Sequence, residues 1–413
     1  MTQSSVFSPF TLPCGRVLKN RIVKAAMEEN LATAEQTPGA QLRTLYQSWA
    51  QGGAGLLITG NVMVDRLAMT GPAGVVLENE AHLNDFKRWA KAAQTHDAQI
   101  WMQINHPGRQ VFAKLGGKSV SPSDVAIDIG KHSALFVRPK PLTESEILDV
   151  IARFVNTAKL AEKAGFDGVQ IHGAHGYLLA QFLSPLTNKR NDKWGGTLEN
   201  RARILIEIIK GVREQVGPSF AVAVKLNSAD FQRGGFDIDD AEQVVAMLHG
   251  LGVDVVELSG GSYESPAMQG RTADQRTLAR EAYFIDFAKR IAEKSAIPIM
   301  TTGGVTRLAT AEMVLSHQVE LVGLARALAF NPSLPNQWLK TPALEGSIPQ
   351  VHWKDKTMGA LAVMAIIKRN LRRLSRNKVP AGGLSPIWTL LIDQFRTHRL
   401  TKRYRKRILL EKR

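Results

Sequence analysis

Cysteine is almost missing from this chain: Cys14 stands alone among 413 residues. A single thiol excludes an intrachain disulfide, a paired CxxC redox centre and an iron–sulfur cluster held by cysteines. Long apolar runs are missing too. The longest, Met358 to Ile367, has ten residues, well short of the roughly 18 that mark a membrane-spanning helix. The N-terminus, MTQSSVFSPF, has no basic segment leading into an apolar one, so no secretory leader is expected. These absences point to a reducing cytoplasm. No GxGxxG follows the first apolar strand, which argues against an open dinucleotide-binding sheet. No stretch before residue 340 reads as a linker, and nothing in residues 341–413 resembles a base-reading nucleic-acid motif.

Positive charge is present in excess and unevenly placed. The net charge is +16, yet residues 341–413 hold 17 Lys and Arg against 4 Asp and Glu. Residues 1–340 therefore hold 36 against 33 and are close to neutral. Two units are expected: a nearly neutral body over 1–340 and a basic helical extension over 341–413.

The body reads as alternating strands and helices. A short hairpin is expected between Phe7 and Asn20, where Pro13 and Gly15 signal a turn. Apolar strands follow at Arg21–Met27, Leu56–Val64, Gln99–Asn105, Val169–Ile171, Phe220–Asn227, Val253–Gly260, Ile297–Gly303 and Leu321–Ala327. Helical patterns separate them, at Thr37–Gln51, Ala81–His96, Thr143–Ala164, Leu198–Val216, Asp239–Gly250 and Glu281–Lys294. The third of these opens with a capping box, Thr143-x-x-Glu146. Ser121–Lys140 reads as an irregular insertion, within which the segment around Ile127 to Val137 reads as a hairpin or a mobile flap over the site, and GGSYESPAMQGR reads as a long loop at the mouth of a site. Eight strands with crossover helices close most simply into an α/β (β/α)8 TIM barrel.

The stretch GFDGVQIHGAHGYLLAQFLSP carries the densest chemistry. A buried strand ends in His172, His175 and Tyr177, as at the catalytic rim of a barrel. The two histidines are three apart, so a helical turn after the strand would aim both at one pocket. Two imidazole N–H groups can hold an oxygen that gains negative charge, and a phenol can donate a proton. His-x-x-His is also half of a zinc site, but no further ligands stand nearby, so no metal is expected. Gly303-Gly304 after the seventh strand and Arg326 after the eighth fit a barrel's phosphate site. Arg201 and Arg203 are read as structural.

HGAHGYLLAQFLSP, followed by TNKRNDKWGGTLENR, resembles the Old Yellow Enzyme family of FMN-dependent ene-reductases. The likeness runs over about residues 6 to 340, with its motifs in the family's order. It implies FMN as cofactor and NADH or NADPH as hydride donor. It also implies reduction of the C=C bond of an α,β-unsaturated carbonyl compound. By position, His172 and His175 would hold the carbonyl oxygen and Tyr177 would protonate the α-carbon. Ala25, Ala26, Met27, Gln103, Lys225, Gly303, Gly304, Ala325 and Arg326 would bind FMN. Asn30 would face the substrate. Three positions depart from the family. Glu28 stands where relatives often carry Cys or Thr, Asn30 where some carry a substrate-facing Tyr, and Lys225 where they usually carry Arg. Read without the likeness, Lys225 would be paired with a carboxylate such as Asp230. A quinone, a nitro compound or dioxygen is the alternative acceptor. A non-catalytic scaffold docking through its tail is the alternative of another class.

In the extension, Met358–Leu374 has an apolar first half and a basic second half, with Leu361, Met364, Ile367, Leu371 and Leu374 at helical spacing. A PAGGLSP break separates it from IWTLLIDQF and RTHRLTKRYRKRILLEKR. Three readings stand: helices that cap the barrel, a basic amphipathic surface drawn to anionic lipid at the inner face of a membrane, or a contact with nucleic acid or an acidic protein.

Overall fold

In the computed structural model, which describes residues 5–267 and 281–411, eight parallel strands close into a ring. They are β1 Ile22–Lys24, β2 Leu56–Ile58, β3 Gln99–Asn105, β4 Gly168–Gly173, β5 Ala221–Asn227, β6 Val255–Ser259, β7 Ile299–Thr302 and β8 Leu321–Leu324. Each pairs in parallel with the next, and β8 returns to β1 through Val322↔Ile22. The (β/α)8 barrel expected from the strand count is therefore the fold.

Strand side chains alternate between two faces, and the two faces have different surroundings. Val23, Leu56, Trp101, Ala221, Val255, Met300 and Leu321 point inward and fill the barrel. Their neighbours Ile22, Leu57, Ile100, Val222, Val256, Ile299 and Val322 point outward under the helices. Trp101 takes so much interior space that a Cβ on Gly168 would lie 2.9 Å from it and 2.6 Å from the Ala221 carbonyl. Glycine is required there by crowding. The expected N-terminal hairpin pairs Phe10–Thr11 with Val17–Leu18, and its Leu12 and Leu18 plug the lower end of the ring.

The helices are α1 Ala40–Gln51, α2 Leu83–Ala93, α3 Glu144–Lys163, α4 Leu178–Leu183, α5 Leu198–Gln215, α6 Ile238–Met247, α7 Ile285–Ala292, α8 Leu308–Leu315, α9 Arg326–Phe330, α10 Leu334–Lys340, α11 Lys356–Leu374 and α12 Pro386–Glu411. The Thr143–Glu146 capping box is formed at α3, where the Thr143 N–H holds the Glu146 carboxyl down at about 2.

Several expectations need correction. The second strand stops at Ile58, and Val62–Met63 pairs separately beyond β3, because the chain turns at Thr59-Gly60-Asn61 to bring Asn61 to the cavity. The eighth strand stops at Leu324; Ala325 leaves the extended region and Arg326 opens α9. The segment 127–137 of the irregular insertion is neither a free flap nor a simple hairpin. Val120–Ser121 pairs in parallel with Lys140–Pro141, and a 3-10 turn covers Gly130–Leu135. The two apolar and basic segments after the PAGGLSP break form one helix, α12. Part of the GGSYESPAMQGR loop, residues 268–271, lies outside the described residues.

The extension packs on the barrel. α11 lies against α9 and α1. α12 runs over the rim loops, where Arg396 donates to the Asn30 carbonyl at 3.0 Å and the Tyr404 hydroxyl donates to the Arg66 carbonyl at 2.9 Å.

Candidate active site

The inward face of the barrel becomes polar toward the carboxyl ends of the strands. On β3 the inward order is Trp101, Gln103, Asn105; on β5 it is Ala221, Ala223, Lys225; on β6 it is Val255, Glu257, Ser259. Above this layer lies a cavity of about 340 Å³. Ala26, Met27, Gln103, His172, His175 and Tyr177 line it, as do Lys225, Gly303, Gly304, Ala325 and Arg326. Eleven of the expected site residues thus meet in one space.

The two histidines and the tyrosine cluster tightly. The ring of His172 lies 5.0 Å from that of His175 and 4.9 Å from that of Tyr177, each edge to face. They do not arrive there by a helical turn. His172 is still in β4, and His175 takes a left-handed conformation, φ +60°. That strain re-aims the chain so that both rings face inward. The His172 Nδ1 accepts from the Ala174 N–H at 3.2 Å, which leaves Nε2–H as the donor of the neutral ring. The His175 Nε2 meets the Ser259 hydroxyl at 2.7 Å, and its backbone N–H donates to the Asn227 Oδ1.

Burial, then the neighbouring His175 ring and the Lys225 ammonium, holds the His172 imidazole well below its usual range; burial and Lys225 do the same for His175. Both rings are neutral at physiological pH. The Tyr177 phenol is pushed well above its ordinary value by burial, by Tyr263 and by the Glu28 carboxylate. Its hydroxyl lies 3.3 Å from the Tyr263 hydroxyl.

Below the histidines runs a buried chain of hydrogen bonds that sequence reading missed. Glu257, with no exposure at all, accepts from the Lys225 ammonium, the Thr302 hydroxyl and the Gln170 amide, each at 2.7 Å. Gln170 in turn accepts from the Gln103 amide at 2.7 Å. Lys225 is therefore paired with Glu257, not Asp230; Asp230 bonds Asn227 and the Phe236 N–H. The available signal was the period-2 alternation of β6, which puts Glu257 on the same face as Ser259.

At the other end, Gly304 has φ +72°, and a Cβ there would lie 2.6 Å from the Tyr283 ring. Tyr283 seats on Gly303-Gly304, and its hydroxyl accepts from Arg326 at 2.8 Å. Glu28 lines the cavity with its carboxylate bonded to the Thr70 hydroxyl at 2.7 Å. Asn30 is displaced from the expected position. It takes a left-handed turn, φ +52°, and its amide oxygen accepts from the Ala73 N–H, so its side chain is tied to a rim loop and does not line the cavity. Ala25 is buried in the barrel core beside the cavity, and its N–H donates to the Leu324 carbonyl. Arg201 and Arg203 are structural, as expected. Arg201 donates to the Leu183 carbonyl and to Asp240, and Arg203 donates to the Lys193 carbonyl.

The roof of the cavity comes from the extension. Val363, Met364, Ile367, Lys368 and Leu371 of α11 line it. The sequence showed α11 as amphipathic but not which surface its apolar face would cover.

A barrel with an amide, an ammonium and apolar strand ends at one side, and a glycine pair with a guanidinium at the other, is built for a long, planar, phosphorylated cofactor. Gln103 can both donate and accept at a pyrimidine edge, Lys225 supplies positive charge, and Arg326 with the close backbone of Gly303-Gly304 suits a phosphate. The donor set fits FMN, and the fold and site define a flavin-dependent oxidoreductase. Residues 5–343 match the NADH:flavin oxidoreductase / NADH oxidase family, and the chain belongs to it. It is 38% identical over 349 residues to the NADH-dependent flavin oxidoreductase iliE of Hypocrea jecorina, covering 79% of this chain and 87% of that protein. It is 35% identical to a homologue from Neonectria, of which it covers 49%. Among solved structures, the Old Yellow Enzyme homologue from Zymomonas mobilis aligns with a TM-score of 0.71 and 25% identity, over 83% of this chain and 95% of that one. FMN is the cofactor and NAD(P)H the reductant that this membership brings, and the likeness to the Old Yellow Enzyme family holds.

Proposed function

We propose that the protein uses hydride from NAD(P)H to reduce the C=C bond of α,β-unsaturated carbonyl compounds. The observation that carries this reading is the convergence of two neutral imidazoles and a protonated phenol at one end of the cavity. Bound FMN supplies the capacity to take up hydride and hand it to a second molecule. The chain's own residues supply the rest. His172 offers Nε2–H to the substrate carbonyl oxygen, its orientation fixed by the bond from the Ala174 N–H. His175 is held beside it by Ser259. Neutral donors suit this task, because they stabilise charge as it develops on the oxygen without first binding an anion. Tyr177 keeps its proton at neutral pH and yields it only to a strongly basic centre, as the α-carbon becomes. Tyr263 hydrogen-bonds its hydroxyl. Gln103, Lys225, Gly303, Gly304 and Arg326 hold the cofactor, and α11 closes the same cavity with Val363, Met364, Ile367, Leu371 and the Lys368 side chain.

The test is an anaerobic two-step reaction followed by flavin absorbance. NADH or NADPH should bleach the spectrum, and 2-cyclohexenone should restore it. Tyr177→Phe should slow the restoring step by roughly 10²–10⁴-fold, the usual contribution of a general acid, and leave bleaching intact. A wild-type flavin that bleaches but is restored only by quinone or dioxygen would end the enone reading. Equal loss of both steps in Tyr177→Phe would end the proton-donor role.

A further inference from the structure

The reduction chemistry does not use the outward face of the extension. On α12, Ile387, Trp388, Leu391, Ile392 and Phe395 are 60%, 67%, 54%, 48% and 75% exposed. Their spacing puts them in one stripe along the helix. The opposite side of the same helix is buried at Leu390, Asp393, Leu400, Tyr404 and Ile408. So α12 already has its packed face, and the stripe is a second apolar face left in water.

Beside the stripe runs a groove of about 420 Å³ between α11 and α12. Ile392 and Phe395 form part of its wall, and the rest is cationic. Arg369, Arg372, Arg373, Arg376 and Lys378 come from α11 and the turn after it; Arg396 and Arg399 come from α12. None of the residues lining the groove is a carboxylate. Asp393 meets Arg372 at 2.9 Å, yet the Arg372 Nη2 is buried and has no partner. Burial, and then the charge of Arg372, pushes the Arg396 guanidinium down to about 10. Among the described residues, Arg372–Asp393 is the single ion pair that these seven cations make.

We propose that this face docks on an anionic phospholipid bilayer, with lipid phosphates in the arginine groove and the Trp388–Phe395 stripe in the headgroup boundary. Adjacent apolar and cationic strips on one helix pair match the layering of that interface, where aromatic rings sit between acyl chains and phosphates. A nucleic acid would answer the cations but not the aliphatic side chains Ile387, Leu391 and Ile392. A second copy related by two-fold symmetry would set the arginine groove against itself. The same helix, α11, lines the candidate active-site cavity with Val363, Met364 and Ile367. The docked surface would therefore lie about one helix diameter, roughly 10 Å, from that cavity. This inference does not depend on the acceptor being an enone.

The experiment is co-sedimentation of the full-length FMN-loaded protein with vesicles, either pure phosphatidylcholine or phosphatidylcholine with one third phosphatidylglycerol. Binding is expected only to the second kind and should weaken as salt is raised. Exchanging Arg373 and Arg376 for Gln should weaken it on the order of thirtyfold, at about 1 kcal/mol for each cation near the surface. Trp388→Ser with Phe395→Ser should weaken it by at least about tenfold and leave turnover of soluble cyclohexenone unchanged. Equal binding to both vesicle types, or binding to neither, would overturn the proposal. A dimer in light scattering that the Trp388/Phe395 variant dissolves would also overturn it, in favour of a second copy.

Discussion

Replacing Glu257 by Gln tests the buried hydrogen-bond chain most severely. The carboxylate can only accept, and it does so from Lys225, Thr302 and Gln170. That fixes the direction of every amide that follows: Gln170 must present its NH₂ to Glu257 and its oxygen to Gln103. Gln103 then keeps its own oxygen and one N–H for the cavity. A Gln at 257 would keep an oxygen for Lys225 but turn an NH₂ toward the Gln170 NH₂. Either two donors face each other in the core, or both amides flip and Gln103 loses its free acceptor. The ammonium of Lys225, only 4% exposed, also loses its counter-charge. Removing one partner of a buried pair costs about 3–5 kcal/mol; because the oxygen survives, the low end applies. The variant should be destabilised by about 3 kcal/mol in guanidinium unfolding of the apoprotein. FMN affinity, followed by flavin fluorescence, should fall by about tenfold, the value of one hydrogen bond of roughly 1.4 kcal/mol. A stability loss under about 1 kcal/mol together with unchanged FMN affinity would refute both the polarity argument and the importance of the pair.

Other consequences follow from burial and backbone geometry. Gly304→Ala forces a left-handed alanine against the Tyr283 ring. It should cost about 1–2 kcal/mol and reduce the thermal shift on adding FMN, and an undiminished shift would show that the glycine pair does not serve the cofactor. Burial holds His172 and His175 well below the usual imidazole range and brings His106 down to about 4. The unfolded chain takes up these protons near pH 6.5, the folded chain only at lower pH. Stability is therefore fully present above about pH 6.5 and is lost as pH falls from there toward about 4. His106 alone accounts for about 1.4 kcal/mol per pH unit in that window. Urea midpoints from pH 7.5 to 5 should fall accordingly, and His106→Asn should flatten the slope; the same slope in wild type and variant would count against a buried neutral His106.

Much of the site was legible before folding was considered. The proposed catalytic cluster is nearly contiguous, since His172, His175 and Tyr177 fall within six residues at a strand end. The residues proposed to hold the flavin also sit at strand ends, and in a parallel barrel every strand end opens on the same face. The reading therefore needed only the strand count and the order of motifs. It failed where one backbone angle or one long-range partner decides. Nothing local says that Asn30 turns left-handed and ties itself to residue 73, or that Lys225 meets a carboxylate 32 residues away and not one 5 residues away.

The alternation of strands and helices, hence the barrel, and the identity of the groups that ring its mouth follow from short-range periodicity and side-chain chemistry. Which charges are neutralised in the core, how the His172 ring is turned and what the basic extension covers depend on partners brought together by folding. An amphipathic helix encodes that it has an apolar face, not which surface meets it. Packing put one face of α11 over the active-site cavity and left the stripe on α12 facing water.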